Sequence, residues 1–252
     1  MVCAVHVYQR PKLHNPVLIE GLPGIGFVAN ISALHLIHEV NARLFAEVTS
    51  SSFQDLTVTK GDGGTLSPIN QLYHHIRSDG GRDLILWYGN TQALTTFGQY
   101  ELCGRILDLA EELGCRYIVT LGGFKIDTIR GEPQIYCAAT DPETLKTALD
   151  LDTKVMVGQI FGLAGITLGL AQLRNLKGFS LLVETLGTEP DSEAARLALK
   201  TLTRFLDLEV NLENLDAATE ETKEILESFG LITARVKPED KKREETQFRW
   251  YV

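Results

Sequence analysis

Short apolar runs of strand length alternate along this chain with segments of helical period, and that alternation admits few architectures. Val17-Leu18-Ile19-Glu20 reads as a short apolar strand and Leu44 to Val48 as a second. Leu84 to Tyr88 (LILWY) has the length and content of a buried central strand. Arg116 to Phe124, Pro133 to Ala139 and Phe179 to Thr185 read as further strands. A helix follows the first strand and runs to about Glu39. Another spans about Thr96 to Leu113, with Leu102, Ile106, Leu109 and Leu113 on one stripe and Gly114 as its stop. Asp141-Pro142 is a helix-start signal with Pro at the first helical position. Leu163 to Leu173 (LAGITLGLAQL) is a small-residue helix whose Gly165 and Gly169 suggest close approach to a neighbour. Thr188, with Asp191 three residues on and Pro190 between, marks the next helix start. That helix puts Ala195, Ala198, Leu202, Phe205 and Leu206 on one face. A final acidic helix covers about Leu212 to Phe229, and Gly230 ends it. Repeated strand–helix alternation calls for a mainly parallel or mixed sheet with helices on both faces. The expected organisation is one α/β domain over residues 1–234 and a charged tail over residues 235–252.

At 252 residues the chain has enough interior for a sizeable core. Its formal charge of -9 disfavours a general nucleic-acid binder, which would carry a basic face. The cysteines, Cys3, Cys103, Cys115 and Cys137, form no CxxC pair and read as reduced, buried small hydrophobes of a reducing compartment. The opening MVCAVHVYQR has no signal-peptide-like apolar stretch, and no run reaches the roughly 18 apolar residues that span a bilayer. These features point to a cytoplasmic protein away from membranes.

Among internal motifs the glycine turn is the strongest. Gly24-Ile25-Gly26-Phe27-Val28-Ala29 satisfies G-x-G-x-x-A between a strand and a helix, and the acidic Glu47 lies near the end of the next strand, which is the dinucleotide-binding layout. Pro23 and the extra Gly21-Leu22 lengthen the usual tight turn. The competing reading is a sharp turn that needs small residues for close packing. Gly21 and Gly26 have P-loop separation, but Phe27-Val28 stand where Lys-Ser/Thr is required. His35 and His38 could share a helix face, while His74 and His75 are adjacent and would point apart on a helix, so no metal set assembles. Ser50-Ser51-Ser52 and Asp55 lack a nucleophile elbow and read as a loop after a strand. Lys60 to Pro68 (KGDGGTLSP) reads as a flexible loop.

The chain ends Trp250-Tyr251-Val252. An indole fills an apolar pocket, and a phenol adds area and one directed hydrogen bond. A terminal carboxylate is a fixed anion that a Lys or a backbone nest can capture. The preceding stretch from Arg235 to Arg249 (RVKPEDKKREETQFR) has the composition of a solvated spacer, so the most apolar part of the tail lies at its free end. Trp250, Tyr251 and Val252 are therefore the candidate protein-binding residues.

Three blocks resemble the archaeal proteasome assembly chaperone family. They are EGLPGIGFVANISALHLI with LFAEVTSSSF, then YELCGRILDLAEELGCRYIVTLGGF, then FGLAGITLGLAQLRNLKGFSLLVETLGTEPDSEAARLALKTLTRFLDLEVNLENL. The resemblance implies a three-layer α/β/α fold with a mixed sheet, phosphorylase- or hydrolase-like in layout, without catalytic activity or a cofactor. It also implies cytoplasmic homo-oligomers, tetramers or pentamers, that engage the α subunits of the proteasome core particle. Some members end hydrophobic-Tyr-any, and Trp250, Tyr251 and Val252 match that ending position by position. Such a tail enters the pocket between adjacent α subunits, where a Lys meets its carboxylate. Two other readings stand beside this one: a nucleotide-binding enzyme using the Gly24-x-Gly26 turn, and an oligomeric scaffold whose tail packs internally.

Overall fold

A computed structural model describes residues 3–230 and 232. The charged spacer and the Trp250-Tyr251-Val252 ending lie outside the described residues. In chain order the elements are β1 (Cys3–Val7), β2 (Val17–Gly21), α1 (Val28–Glu39), β3 (Arg43–Ser50), β4 (Val58–Thr59), β5 (Thr65–Leu66), β6 (Asn70–His75) and β7 (Leu84–Gly89). Then come α2 (Thr96–Glu112), β8 (Tyr117–Lys125), β9 (Ile135–Ala139), α3 (Pro142–Leu149), β10 (Lys154–Val155), α4 (Gly162–Leu173), β11 (Lys177–Thr185), α5 (Ser192–Leu206) and α6 (Leu215–Ser228).

Nine strands form one mixed sheet in the order β1-β3-β6-β7-β2-β8-β11-β9-β10, with β2 at its centre. β7, β2, β8 and β11 run parallel to one another, while β1, β3 and β6 join on one side, and β9 on the other, through antiparallel pairings. Every residue of β2 and β7 is buried, which is why both read as continuous apolar runs. Two cores flank the sheet. One joins it to α1, α3, α5 and α6 through residues such as Ile31, Ala148, Leu202 and Leu215. The other joins it to α2 and α4 through Leu102, Ile106, Leu163 and Ala171. This is the expected three-layer α/β/α arrangement, and it matches the solved folds compared below.

Three parts of the sheet depart from the sequence reading. β1 pairs antiparallel with β3 at the sheet edge, and β6 sits between β3 and β7. The segment expected as a loop at Lys60 to Pro68 contains β5, which pairs with β4 in a small separate hairpin. His74 and His75 lie on β6 rather than on a helix, with His74 buried and its neighbour on the opposite face.

Helix starts follow capping chemistry. Asp141 caps α3 by accepting the Thr144 amide at 3.0 Å. For α5 the cap is Asp191, not Thr188: its Oδ1 accepts the Ala194 amide at 3.0 Å. The other carboxylate oxygen of Asp191 accepts the buried Thr185 hydroxyl at 2.6 Å, and its own amide donates to the Gly26 carbonyl at 2.9 Å. One side chain thus ties the start of α5 to the end of β11 and to the glycine turn. Asp191→Ala is expected to cost about 1–2 kcal/mol in urea denaturation, with Asp191→Asn keeping most of the stability. Of the two glycines on α4 only Gly165 makes the expected close approach, and it does so to a loop. A Cβ at Gly165 would collide with the carbonyl of Ile160 in the preceding loop, and Gly169 faces open space.

Candidate functional site

The glycine turn lies beyond the C-terminal end of β2, where β2 leads into α1 on one face and β7 leads towards α2 on the other. Ligand sites of open α/β sheets lie at such places. The glycines here answer to packing. A Cβ at Gly21 would overlap the Cβ of Ala33 on α1 and stand 2.9 Å from the Ala29 carbonyl oxygen. Gly26 has φ +61°, and a Cβ there would lie 2.8 Å from the Thr185 hydroxyl oxygen. Gly24 is extended at φ -158° with open space around it, a position any residue could take. The acidic partner of the dinucleotide layout is misplaced. Glu47 sits on β3, three strands from β2 or roughly 14 Å across the sheet. There it accepts hydrogen bonds from Tyr8 at 2.5 Å and Gln71 at 2.8 Å. The turn and Glu47 therefore do not form one nucleotide site.

The other sequence candidates separate as well. His35 Nε2 lies 2.7 Å from the Asn211 carbonyl, and His38 Nε2 lies 3.8 Å from the Glu221 carboxylate. Ser50 Oγ accepts the Ser52 amide at 3.1 Å in the turn after β3, and Asp55 is exposed. All four cysteines are buried and free, and burial pushes the Cys103 thiol up to about 12. Among the described residues no helix is long and apolar enough to cross a membrane.

What the sequence reading passed over is Glu20, the single acidic residue at the end of the apolar run on β2. It is 1% exposed. Its register partners are Trp87 on β7 and Thr120 on β8, and Thr120 pairs in turn with Ser180 on β11. This row points to the α2/α4 side. Thr120 and Ser180 satisfy each other, oxygen to oxygen, at 2.5 Å. Glu20 Oε1 accepts the Leu22 amide at 3.2 Å, while the buried Oε2 has no partner among the described residues. Burial raises the carboxyl to about 8, against the pull of the Leu22 and Leu121 amides. Glu20 lies at the base of a cavity of about 420 Å³, walled mainly by Leu22, Leu121, Leu182, Met156, Ile160 and Phe161. In the next cross-strand row Gly122 has no side chain of its own, and Leu182 Cδ2 leans over it, 3.0 Å from where a Cβ would stand.

Around the same end of the molecule several large apolar side chains face solvent. Val157 is 89% exposed and Phe161 79%, in the segment that enters α4. Leu94, Phe97 and Tyr100 do the same at the start of α2, which packs against α4. Exposed apolar groups gathered in one region mark protein–protein contact surfaces.

Residues 18–229 match the PAC2 family. The chain belongs to that family. An uncharacterised protein of Methanocaldococcus jannaschii is 34% identical over 219 residues, 86% of this chain and 84% of its own length. The Pyrococcus furiosus protein PbaB, described as an archaeal proteasome activator, superposes with a TM-score of 0.81 at 36% identity. That match covers 91% of this PAC2 chain and 99% of PbaB. PbaA of the same organism, described as an archaeal homolog of proteasome-assembly chaperone, gives a TM-score of 0.73 at 25% identity over 89% of this chain and 94% of PbaA. All three comparisons span nearly the whole α/β domain, so the family match over residues 18–229 includes the cavity over Glu20, the exposed apolar residues near it and both cores.

Proposed function

We propose that this PAC2 protein is a cytoplasmic, non-catalytic proteasome assembly chaperone or adaptor that binds the core-particle α-ring through several C-terminal tails. The observation that carries the reading is the ending Trp250-Tyr251-Val252 on a chain whose relatives include PbaB and PbaA. Burying one such aromatic side chain is worth roughly 1.5–3 kcal/mol before ordering costs, so a single tail is a weak anchor. Several tails on one homo-oligomeric body, a tetramer or a pentamer, raise avidity by roughly 10²–10⁴ where their spacing fits the pockets between α subunits. The spacer from Arg235 gives a reach of roughly 20–25 Å by chain statistics, enough for modest symmetry mismatch. The exposed apolar groups at the starts of α2 and α4 supply surface over which copies can associate.

The deciding experiment is a pull-down of proteasome α subunits by the intact protein and by a truncation lacking Trp250 to Val252. The intact protein is expected to retain the α-ring and the truncation to lose it. Equal retention by both would remove the tail mechanism.

A further inference from the structure

The cavity over Glu20 is not used by tail docking, and its chemistry is specific enough to define an occupant. We propose that it is a binding site for a small, planar, neutral heterocycle of the lactam kind, which sets a hydrogen-bond donor and an adjacent acceptor against the Glu20 carboxyl. At about 420 Å³ the cavity falls within the range of small-molecule sites, roughly 300–1,000 Å³. Its walls are apolar on opposed sides, with Leu182 on β11 and Leu22 just past the end of β2 on one and Ile160 and Phe161 on the segment entering α4 on the other. Opposed apolar walls favour a flat ring. The floor beside Glu20 offers a ring no further polar partner, because the Thr120 and Ser180 hydroxyls of the same cross-strand row are used on each other.

The carboxyl sets the polarity of the ligand. Oε2 is buried and without a partner among the described residues, a state that is unfavourable until something bonds to it. A carboxyl offers an O–H donor and a carbonyl acceptor side by side when neutral, and a lactam edge answers both. A cation is disfavoured, because pairing it there would bury two charges, and Lys125 lines the same cavity. An anion would meet the carboxyl itself. A purely apolar guest would leave Oε2 unpaired.

The test is a ligand-observed NMR titration of the full-length protein with isocarbostyril, the lactam of isoquinoline, and with its N-methyl derivative, which lacks the N–H. Isocarbostyril is expected to bind saturably and about tenfold more tightly than the N-methyl compound. Glu20→Leu is expected to abolish that preference, and Ala164→Phe, which fills the cavity from α4, to weaken both compounds. The proposal falls if neither compound saturates, if both bind the intact protein equally, or if Glu20→Leu keeps the preference. Should Glu20→Leu fail to fold, unchanged binding by Ala164→Phe overturns it and lost binding supports it. Truncation of Trp250 to Val252 is expected to leave isocarbostyril binding unaltered, so failure here and failure of the docking reading are separate results.

Discussion

Replacing Gly21 by alanine is expected to lower the melting temperature of this protein by about 6–12 °C, corresponding to roughly 3 kcal/mol. Gly21 is the last residue of the central strand β2 and lies directly against α1. An added methyl group would overlap the Ala33 Cβ and press to 2.9 Å on the Ala29 carbonyl oxygen. Neither neighbour can yield by a rotamer change: one is a Cβ fixed to its helix backbone, the other is the backbone itself. The strand or the helix must therefore move, and both are held. The residues of β2 pair with β7 and β8, while α1 buries ten consecutive residues from Val28 to Ile37. Overpacking between two fixed elements is among the few causes of large single-residue destabilisation. The collision is reciprocal, which gives an internal control. Ala33→Gly removes the opposing methyl group, costs about 1 kcal/mol as a helical glycine, and is expected to recover part of the loss when combined with Gly21→Ala. Thermal unfolding of the two single variants and the double variant measures the coupling. If Gly21→Ala melts within about 2 °C of the parent, the packing account of the glycine turn is wrong.

The same contact explains how much could be read from the residues. The parallel strands were legible because their burial on both faces leaves an unbroken apolar run, as in Leu84 to Tyr88. β6 was not, because two of its three inward positions are polar: Asn70, Leu72 and His74 point inward, while Gln71, Tyr73 and His75 alternate with them. Asn70 is tolerated there because its Oδ1 accepts the Trp87 indole N–H at 2.8 Å and its amide donates to the Thr91 carbonyl at 3.0 Å. A polar core position of this kind has no hydrophobic signature in one sequence. At the glycine turn, the spacing admits a phosphate cradle as well as a packed turn, although Pro23 and the extra Gly21-Leu22 weigh against the cradle. The two part only when Glu47 is found three strands away and Gly21 is found against Ala33. At the start of α5, Thr188 and Asp191 both carry capping side chains, and only the geometry shows that Asp191 reaches the Ala194 amide. Glu20 left a trace, one carboxylate closing an apolar strand. Nothing local reveals that its own cross-strand row supplies Thr120 and Ser180 but, among the described residues, no partner for its second oxygen.

Glu20 should also make the stability of the fold fall as the pH rises towards 8. Its carboxyl is raised from an ordinary 4.5 to about 8 by burial, so the folded state holds a proton that the unfolded state has released across that interval. The sign follows from proton counting. Below pH 4.5 both states are protonated and the stabilisation is complete; between 4.5 and about 8 the folded state binds more protons, and stability drops with each step in pH. The full excursion is worth roughly 3–5 kcal/mol. Other shifted groups act elsewhere or cancel. Asp79 and Asp141, held down to about 2 by hydrogen bonds from Arg77 and Thr144, lose their contribution only as the pH falls below the ordinary aspartate range. His74, held below its ordinary value by burial, favours the fold as pH rises through the mildly acidic range, opposite in sign to Glu20. It is present in parent and variant alike. The comparison is therefore between the intact protein and Glu20→Gln, each denatured in urea at about pH 5 and about pH 8.5. The variant is expected to match or fall slightly below the parent at the lower pH and to exceed it by roughly 2 kcal/mol or more at the higher, because an amide of the same shape carries no charge to bury. A parent protein whose stability relative to Glu20→Gln stays constant over that interval would mean that a donor already reaches Oε2 in the folded state. The cavity would then have lost the unpaired group that defines its ligand.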